Sequence, residues 1–182
     1  MALRATVFKA DLHVADNDRG YYASHALTVA RHPSETDERL MVRLLAYALW
    51  VQADERLVFT RGLSDTDEPA LWQLDLTGAV EQWIEVGLPD ERRLLKACGR
   101  AGQVMVLAYG RGVDLWWAGV RNKVARAANL QVYCLDADAS RALGELAQRN
   151  MSLSINVTDR NAWVSCDRGD VSLDVRRLHP AD

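Results

Sequence analysis

Gln103-Val104-Met105-Val106-Leu107-Ala108-Tyr109 is a nearly unbroken apolar run. A strand with one wet face alternates apolar and polar residues, whereas a parallel strand covered on both faces reads as a continuous apolar stretch. This segment is therefore expected to be a buried strand, parallel to a neighbour. Its flanks agree. Upstream, residues 79–86 are extended, Pro89 follows, and residues 90–101 have helical spacing. Downstream, a helix is expected over 113–127 and a strand over 130–135. The middle of the chain thus consists of strand–helix–strand units.

Working outward, residues 69–74 and 79–86 flank Asp75-Leu76-Thr77-Gly78, and Asp first with Gly fourth is the preference of a type I turn. A short strand is expected at 56–60, followed by a polar loop over 61–68. At the start, 3–12 and 20–30 read as a hairpin around Asp16-Asn17-Asp18-Arg19-Gly20. His32-Pro33 ends it, and Ser34 is the expected N-cap of an amphipathic helix over 35–51, with Leu40, Met41, Leu44, Leu45, Ala48 and Leu49 on its apolar face. A fourth helix is expected at 138–149. Three antiparallel strands near 151–158, 161–166 and 170–178 close the chain. The fold class is α+β, a mixed β-sheet flanked by helices.

The chain has 182 residues, of which 49% are hydrophobic and 26% charged, so one domain over 1–182 is expected. No apolar run is long enough to span a bilayer. The opening Met1–Thr6 lacks the apolar stretch of a secretory signal. Cys98, Cys134 and Cys166 have no metal-ligand spacing, and an odd count argues against a disulfide scaffold. A reducing cytoplasm is the expected compartment.

Net charge is −3, from 22 basic and 25 acidic residues, which argues against wholesale coating of nucleic acid. Position changes that reading. Between Arg61 and Arg92 there is no base, yet Asp65, Asp67, Glu68, Asp75, Glu81, Glu85, Asp90 and Glu91 occur. From Arg92 to Arg126 the bases are Arg92, Arg93, Lys96, Arg100, Arg111, Arg121, Lys123 and Arg126, against the single acid Asp114.

If Asp75 and Gly78 flank the turn, Glu68 pairs with Glu85, Ala70 with Trp83, and Trp72 with Glu81. Directly paired carboxylates repel unless a cation lies between them. Glu68 and Glu85 are then candidate ligands for a hard divalent ion such as Mg²⁺. The plain alternative leaves Glu68 in the loop before Pro69 with both carboxylates solvated. Glu38 shares a helical stripe with Met41, Leu45 and Leu49 and is a candidate third ligand, or simply an acid complementing the helix dipole. Glu35 lies four residues before Arg39, which suits an exposed ion pair. Arg92, Arg93, Lys96 and Arg100 follow on one helix, either to meet a phosphate or as a solvated face. The four histidines are scattered, and Gly110-Arg111-Gly112 lacks the Lys-Ser/Thr of a phosphate loop.

Arg31-His32-Pro33-Ser34-Glu35, Gly62-Leu63-Ser64, Asp67-Glu68-Pro69 with Trp72, and Trp83-Ile84-Glu85-Val86-Gly87-Leu88-Pro89-Asp90 together resemble the YaeQ family across essentially the whole chain. The resemblance implies a bacterial cytoplasmic protein with a restriction-endonuclease-like core of the PD-(D/E)xK superfamily. It further implies catalytic and metal roles for Glu85 of Glu85-Val86-Gly87, for Glu68 or Asp67 as the first acid (Asp75 competing), and for Glu38 as the helical acid. The superfamily lysine falls on Gly87, so Lys96 or Arg93 would have to supply that charge from the next helix.

The implied reaction is hydrolysis of a phosphodiester with Mg²⁺ or Mn²⁺, with Arg121, Lys123 and Arg126 along the backbone of DNA or RNA. Two other readings compete with it. One is a nuclease-like fold without catalysis, binding nucleic acid or a protein of the transcription machinery. The other is a plain interaction module.

Overall fold

A computed structural model describes residues 4–181, so the expected start of the first strand at Leu3 lies outside the described residues. Two mixed sheets replace the single one expected. The first has the order β10-β9-β8-β1-β2, built from β1 (Thr6–Asp16), β2 (Tyr21–Arg31), β8 (Asn150–Thr158), β9 (Asn161–Cys166) and β10 (Gly169–Asp174). The second has the order β11-β7-β6-β5-β4-β3, built from β3 (Leu57–Phe59), β4 (Leu71–Leu74), β5 (Val80–Val86), β6 (Ala101–Ala108), β7 (Leu130–Cys134) and β11 (Arg176–His179). The expected strand over 170–178 divides at Val175, which sends its two halves to different sheets. Val175 is buried between them.

The apolar run behaves as its composition demands: β6 lies between β5 and β7, parallel to both. Its residues alternate between two cores. Met105 and Leu107 join a core with α1 (Asp37–Trp50) and the inner face of the first sheet. Val104, Val106 and Ala108 join another with α2 (Glu91–Arg100) and α3 (Val113–Val124). The layers therefore run from first sheet to α1 with α4 (Ala137–Gly144), then to the second sheet, then to α2 with α3.

Helix α1 lies between two sheets, so Leu40 to Leu49 are all buried, including Arg43. A buried guanidinium needs a countercharge. Glu35 supplies it, accepting from Arg43 Nε at 2.7 Å and Nη2 at 2.8 Å, while Arg43 Nη2 also reaches Ala30 O at 3.0 Å. Arg39 donates to the same carboxylate at 2.8 Å. Glu35 is thus buried rather than the exposed partner expected. The N-cap is Thr36, whose Oγ1 accepts from Arg39 N at 3.1 Å, and not Ser34. Ser34 Oγ is bound to His32 Nδ1 at 2.7 Å and so is taken by the preceding turn.

Helix α4 ends at Gly144, short of the expected 149, where it crosses α1. A Cβ on Gly144 would sit 2.8 Å from Glu38 Cα and 3.0 Å from Glu38 N. Neither atom belongs to a flexible side-chain tip. Gly144→Ala is expected to push the two helices apart and to cost about 1–3 kcal/mol in urea denaturation. A change under about 0.5 kcal/mol would mean that the crossing is looser than described.

Candidate functional site

The acidic hairpin folds as expected at its turn and differently along its strands. Asp75 Oδ1 accepts from Thr77 N, Thr77 Oγ1 and Ala79 N, which gives it the turn role. Gly78 N–H donates to Asp75 O at 3.1 Å, the bond of the expected turn, and Asp75 N–H donates to Ala79 O at 2.8 Å, so the strands pair outward from Asp75 and Ala79. An irregularity beside Leu74 adds a further step. The register slips by two positions: Leu71 pairs with Ile84, Trp72 with Trp83 and Gln73 with Gln82. Glu68 is therefore not opposite Glu85. The Trp72–Trp83 ring pair, with centroids 6.3 Å apart, is the sequence signal that favours the true register.

Glu85 projects near the C-terminal end of β5 on the α2 side and is 5% exposed. Its Oε1 accepts from Trp83 Nε1 at 2.8 Å and from Arg93 Nε at 2.7 Å. Burial pushes its carboxyl up from the ordinary carboxylate range, against the pull of Arg93, Trp83 and Arg39. Arg93 is positioned because Asp90 caps α2, accepting from Arg93 N at 2.8 Å. Its remaining nitrogens bind Thr66 O at 2.5 Å and Glu68 O at 2.7 Å. One arginine thus clamps the 61–68 loop to both β5 and α2.

The other expected residues are drawn into the same loop-to-helix seam. Lys96 Nζ meets Asp67 Oδ1 at 2.9 Å, and this pair holds the Asp67 carboxyl below its usual range. Arg100 reaches Asp67 O at 3.4 Å and lies over the Trp83 ring at 5.2 Å. Glu68 accepts from Arg61 N at 3.0 Å and Nη2 at 2.9 Å, and those bonds pull its pKa down. Glu38 turns to α4 instead, accepting from Ser140 Oγ at 2.7 Å.

Glu68 and Glu85 do share the lining of one cleft, with a volume of 270 Å³, together with Arg39, Arg93, Pro69 and Leu88. Arg39 is the helix side chain that sequence reasoning missed there, because Glu38 beside it was the expected contributor. Among the described residues, no three His, Cys, Asp or Glu side chains come together as a metal site. The carboxylates expected to hold Mg²⁺ or Mn²⁺ each face a different donor, so as arranged they do not fit such an ion. Gly87, at the lysine position, has φ +108°, a conformation that L side chains rarely adopt.

Arg92 on α2, Arg121 on α3 and Arg126 just beyond α3 are exposed, and among the described residues none forms an ion pair. Lys123 bridges the two helices through Glu91 at 2.9 Å. Among the described residues, no helix is long and apolar enough to cross a membrane.

A family model described as YaeQ protein matches residues 1–175. A Salmonella typhi protein named "Uncharacterized protein YaeQ" is 47% identical over 175 residues, covering 95% of both chains. Its namesake from Escherichia coli (strain K12) is 43% identical over 176 residues, with 96% of both chains covered. The crystal structure of YaeQ protein from Xanthomonas axonopodis pv. citri superposes with a TM-score of 0.92 at 49% identity, covering 96% of this chain and 98% of that one. The YaeQ structure from Pseudomonas syringae gives 0.91 at 38% identity, covering 97% of each. The chain belongs to the YaeQ family.

The raised pKa of Glu85 has a measurable sign. The folded chain holds its proton at pH values where the unfolded chain, with an ordinary Glu value of 4.5, has released it. Stability linked to Glu85 is therefore full below 4.5 and declines as pH rises through the folded-state value. In urea denaturation from about pH 4 to about pH 7, wild type is expected to lose stability relative to Glu85→Gln over that interval. Parallel profiles would contradict the burial argument.

Proposed function

We propose that this YaeQ-family chain is a nucleic-acid-binding module that contacts phosphates through the outer face of α2 and α3. The observation that carries the reading is the exposed set Arg92, Arg121 and Arg126, unpaired among the described residues. Lys96 and Lys123 flank it in exposed ion pairs. Such pairs contribute little and exchange readily for a phosphate oxygen. Arg93 has the opposite character, with its guanidinium engaged by Glu85, Thr66 and Glu68, so it acts as a clamp in this reading. Binding of a short duplex DNA or single-stranded RNA is expected to weaken steeply with salt. Arg92→Ala with Arg121→Ala should reduce the salt slope by about one unit for each arginine that no longer meets a phosphate. Unchanged affinity and slope in that double variant would sink the reading.

A hydrolytic reading keeps one observation in its favour: Glu68 and Glu85 line the same cleft. The restriction-endonuclease-like core and PD-(D/E)xK membership belong to this reading, supported by Glu85 near the end of a parallel strand next to α2. It requires Arg61 and Arg93 to release the two carboxylates to Mg²⁺ or Mn²⁺. Calorimetric titration of Mn²⁺ into wild type and Glu85→Ala decides it. A saturable heat present only in wild type supports the metal role, and no heat in wild type removes it.

A further inference from the structure

A second chamber, of 230 Å³, adjoins the Glu85 cleft and shares Arg39 and the Gly62–Leu63 segment with it. Its wall combines His32 from the end of the first hairpin, Glu35 from the following turn, Arg39 and Arg43 from α1, and Ser64 from the 61–68 loop. The carboxylate there is already saturated. Glu35 Oε1 accepts from Arg39 and Arg43, and Oε2 accepts from Arg43 at 2.8 Å and from His32 N at 3.3 Å.

The groups left over are donors. Arg43 has a side chain only 3% exposed, and its Nη1 has no hydrogen-bond partner among the described residues. Arg39 Nε and Nη2 are likewise without one. His32 Nδ1 is taken by Ser34, 3.1 Å from its N and 2.7 Å from its Oγ, which leaves Nε2 as the ring nitrogen without a hydrogen-bond partner among the described residues. Two arginines against one carboxylate leave a positive excess. The nearby walls from Ala30 and Leu63 are apolar, which strengthens any charge-assisted bond made there.

We propose that this chamber binds a phosphate-class oxyanion through Arg39, Arg43 and His32, whether as free phosphate or as the terminal monoester of a nucleotide chain. The guanidinium forks match tetrahedral oxyanions, and Glu35, the carboxylate that lines the chamber, is already saturated. The nucleotide source rests on the nucleic-acid reading above, and the free ion does not.

Isothermal titration of inorganic phosphate at constant ionic strength tests the proposal, with 5′-phosphorylated and unphosphorylated tetranucleotides as parallel arms. Wild type is expected to give a saturable heat with phosphate, or with the phosphorylated tetranucleotide alone. The first outcome identifies the free ion as sufficient and the second identifies the nucleotide terminus. Arg39→Met should weaken that binding by about tenfold or more. This variant leaves Glu35 its two bonds from Arg43, and Arg39→Lys, which keeps charge without the fork, serves where the Met variant does not fold. No saturable heat in wild type up to about 10 mM of either phosphate source overturns the proposal, as does equal affinity in the Arg39 variants. Arg92 and Arg121 do not line the chamber, so failure of the nucleic-acid reading in their double variant is a separate result.

Discussion

The ion pair between Arg43 and Glu35 organises the interior. Helix α1 has a sheet on either side, and an all-apolar helix would satisfy that environment. The chain instead places one arginine in the middle of it. A charge so situated must find its opposite within reach, and Glu35 lies in the turn ahead of the helix. That requirement fixes where the chain leaves β2, since Arg43 also holds Ala30 O, and it brings the start of α1 against the 61–68 loop. Apolar replacements of buried pairs are often neutral or stabilising, so the pair's importance here is positional. It holds Arg39 with Glu35 on one side, while the charge of Arg39 acts on Glu85 on the other. Arg43, Glu35, Arg39, Glu85 and Arg93 alternate in sign from the first sheet's edge to α2.

The adjoining acidic and basic blocks of the sequence have a related explanation. Much of their charge is matched internally. Asp67 and the Thr66 and Glu68 carbonyls receive Lys96, Arg93 and Arg100, which pins the loop along one side of α2. The bases free to meet a partner are those on the other helical faces. Charge counts by segment therefore locate this seam well and overstate the surface left for a ligand.

Features with a local cause were legible in the sequence. The apolar 103–109 run, the Asp16–Gly20 turn and the alternating C-terminal strands each dictate their own structure, and all appear. A slip of two residues keeps every side chain on its face, so the burial of Ile84 and Trp83 follows from the pattern even in the wrong register. The identity of cross-strand partners does not follow, because it depends on how Asp75 and Ala79 close the loop. The N-cap was misplaced because Ser34 and Thr36 both qualify by type, and only the His32 contact separates them. Glu35 was legible as the partner of Arg39 four residues on, but its burial against Arg43 was not. Nor was the reach of Arg93 to the Thr66 and Glu68 carbonyls, because both depend on how separate elements pack. The single expected sheet failed for the same reason: nothing local marks Val175 as the place where one strand becomes two.

The pairing of β1 with β8 has a temporal consequence. These strands are parallel neighbours, with Leu12 beside Leu153 and Val14 beside Ile155. During synthesis the first hairpin emerges before the partner of its inner edge, which lies far downstream, after four helices and five strands of the other sheet. Contacts of such long separation are formed late and at high entropic cost. Until residues 150–158 have left the ribosome, β1 carries an unpaired edge beside an apolar face of Phe8, Ala10, Leu12 and Val14. Emergence of β8, rather than of the helices and strands made between it and the hairpin, is what closes that edge.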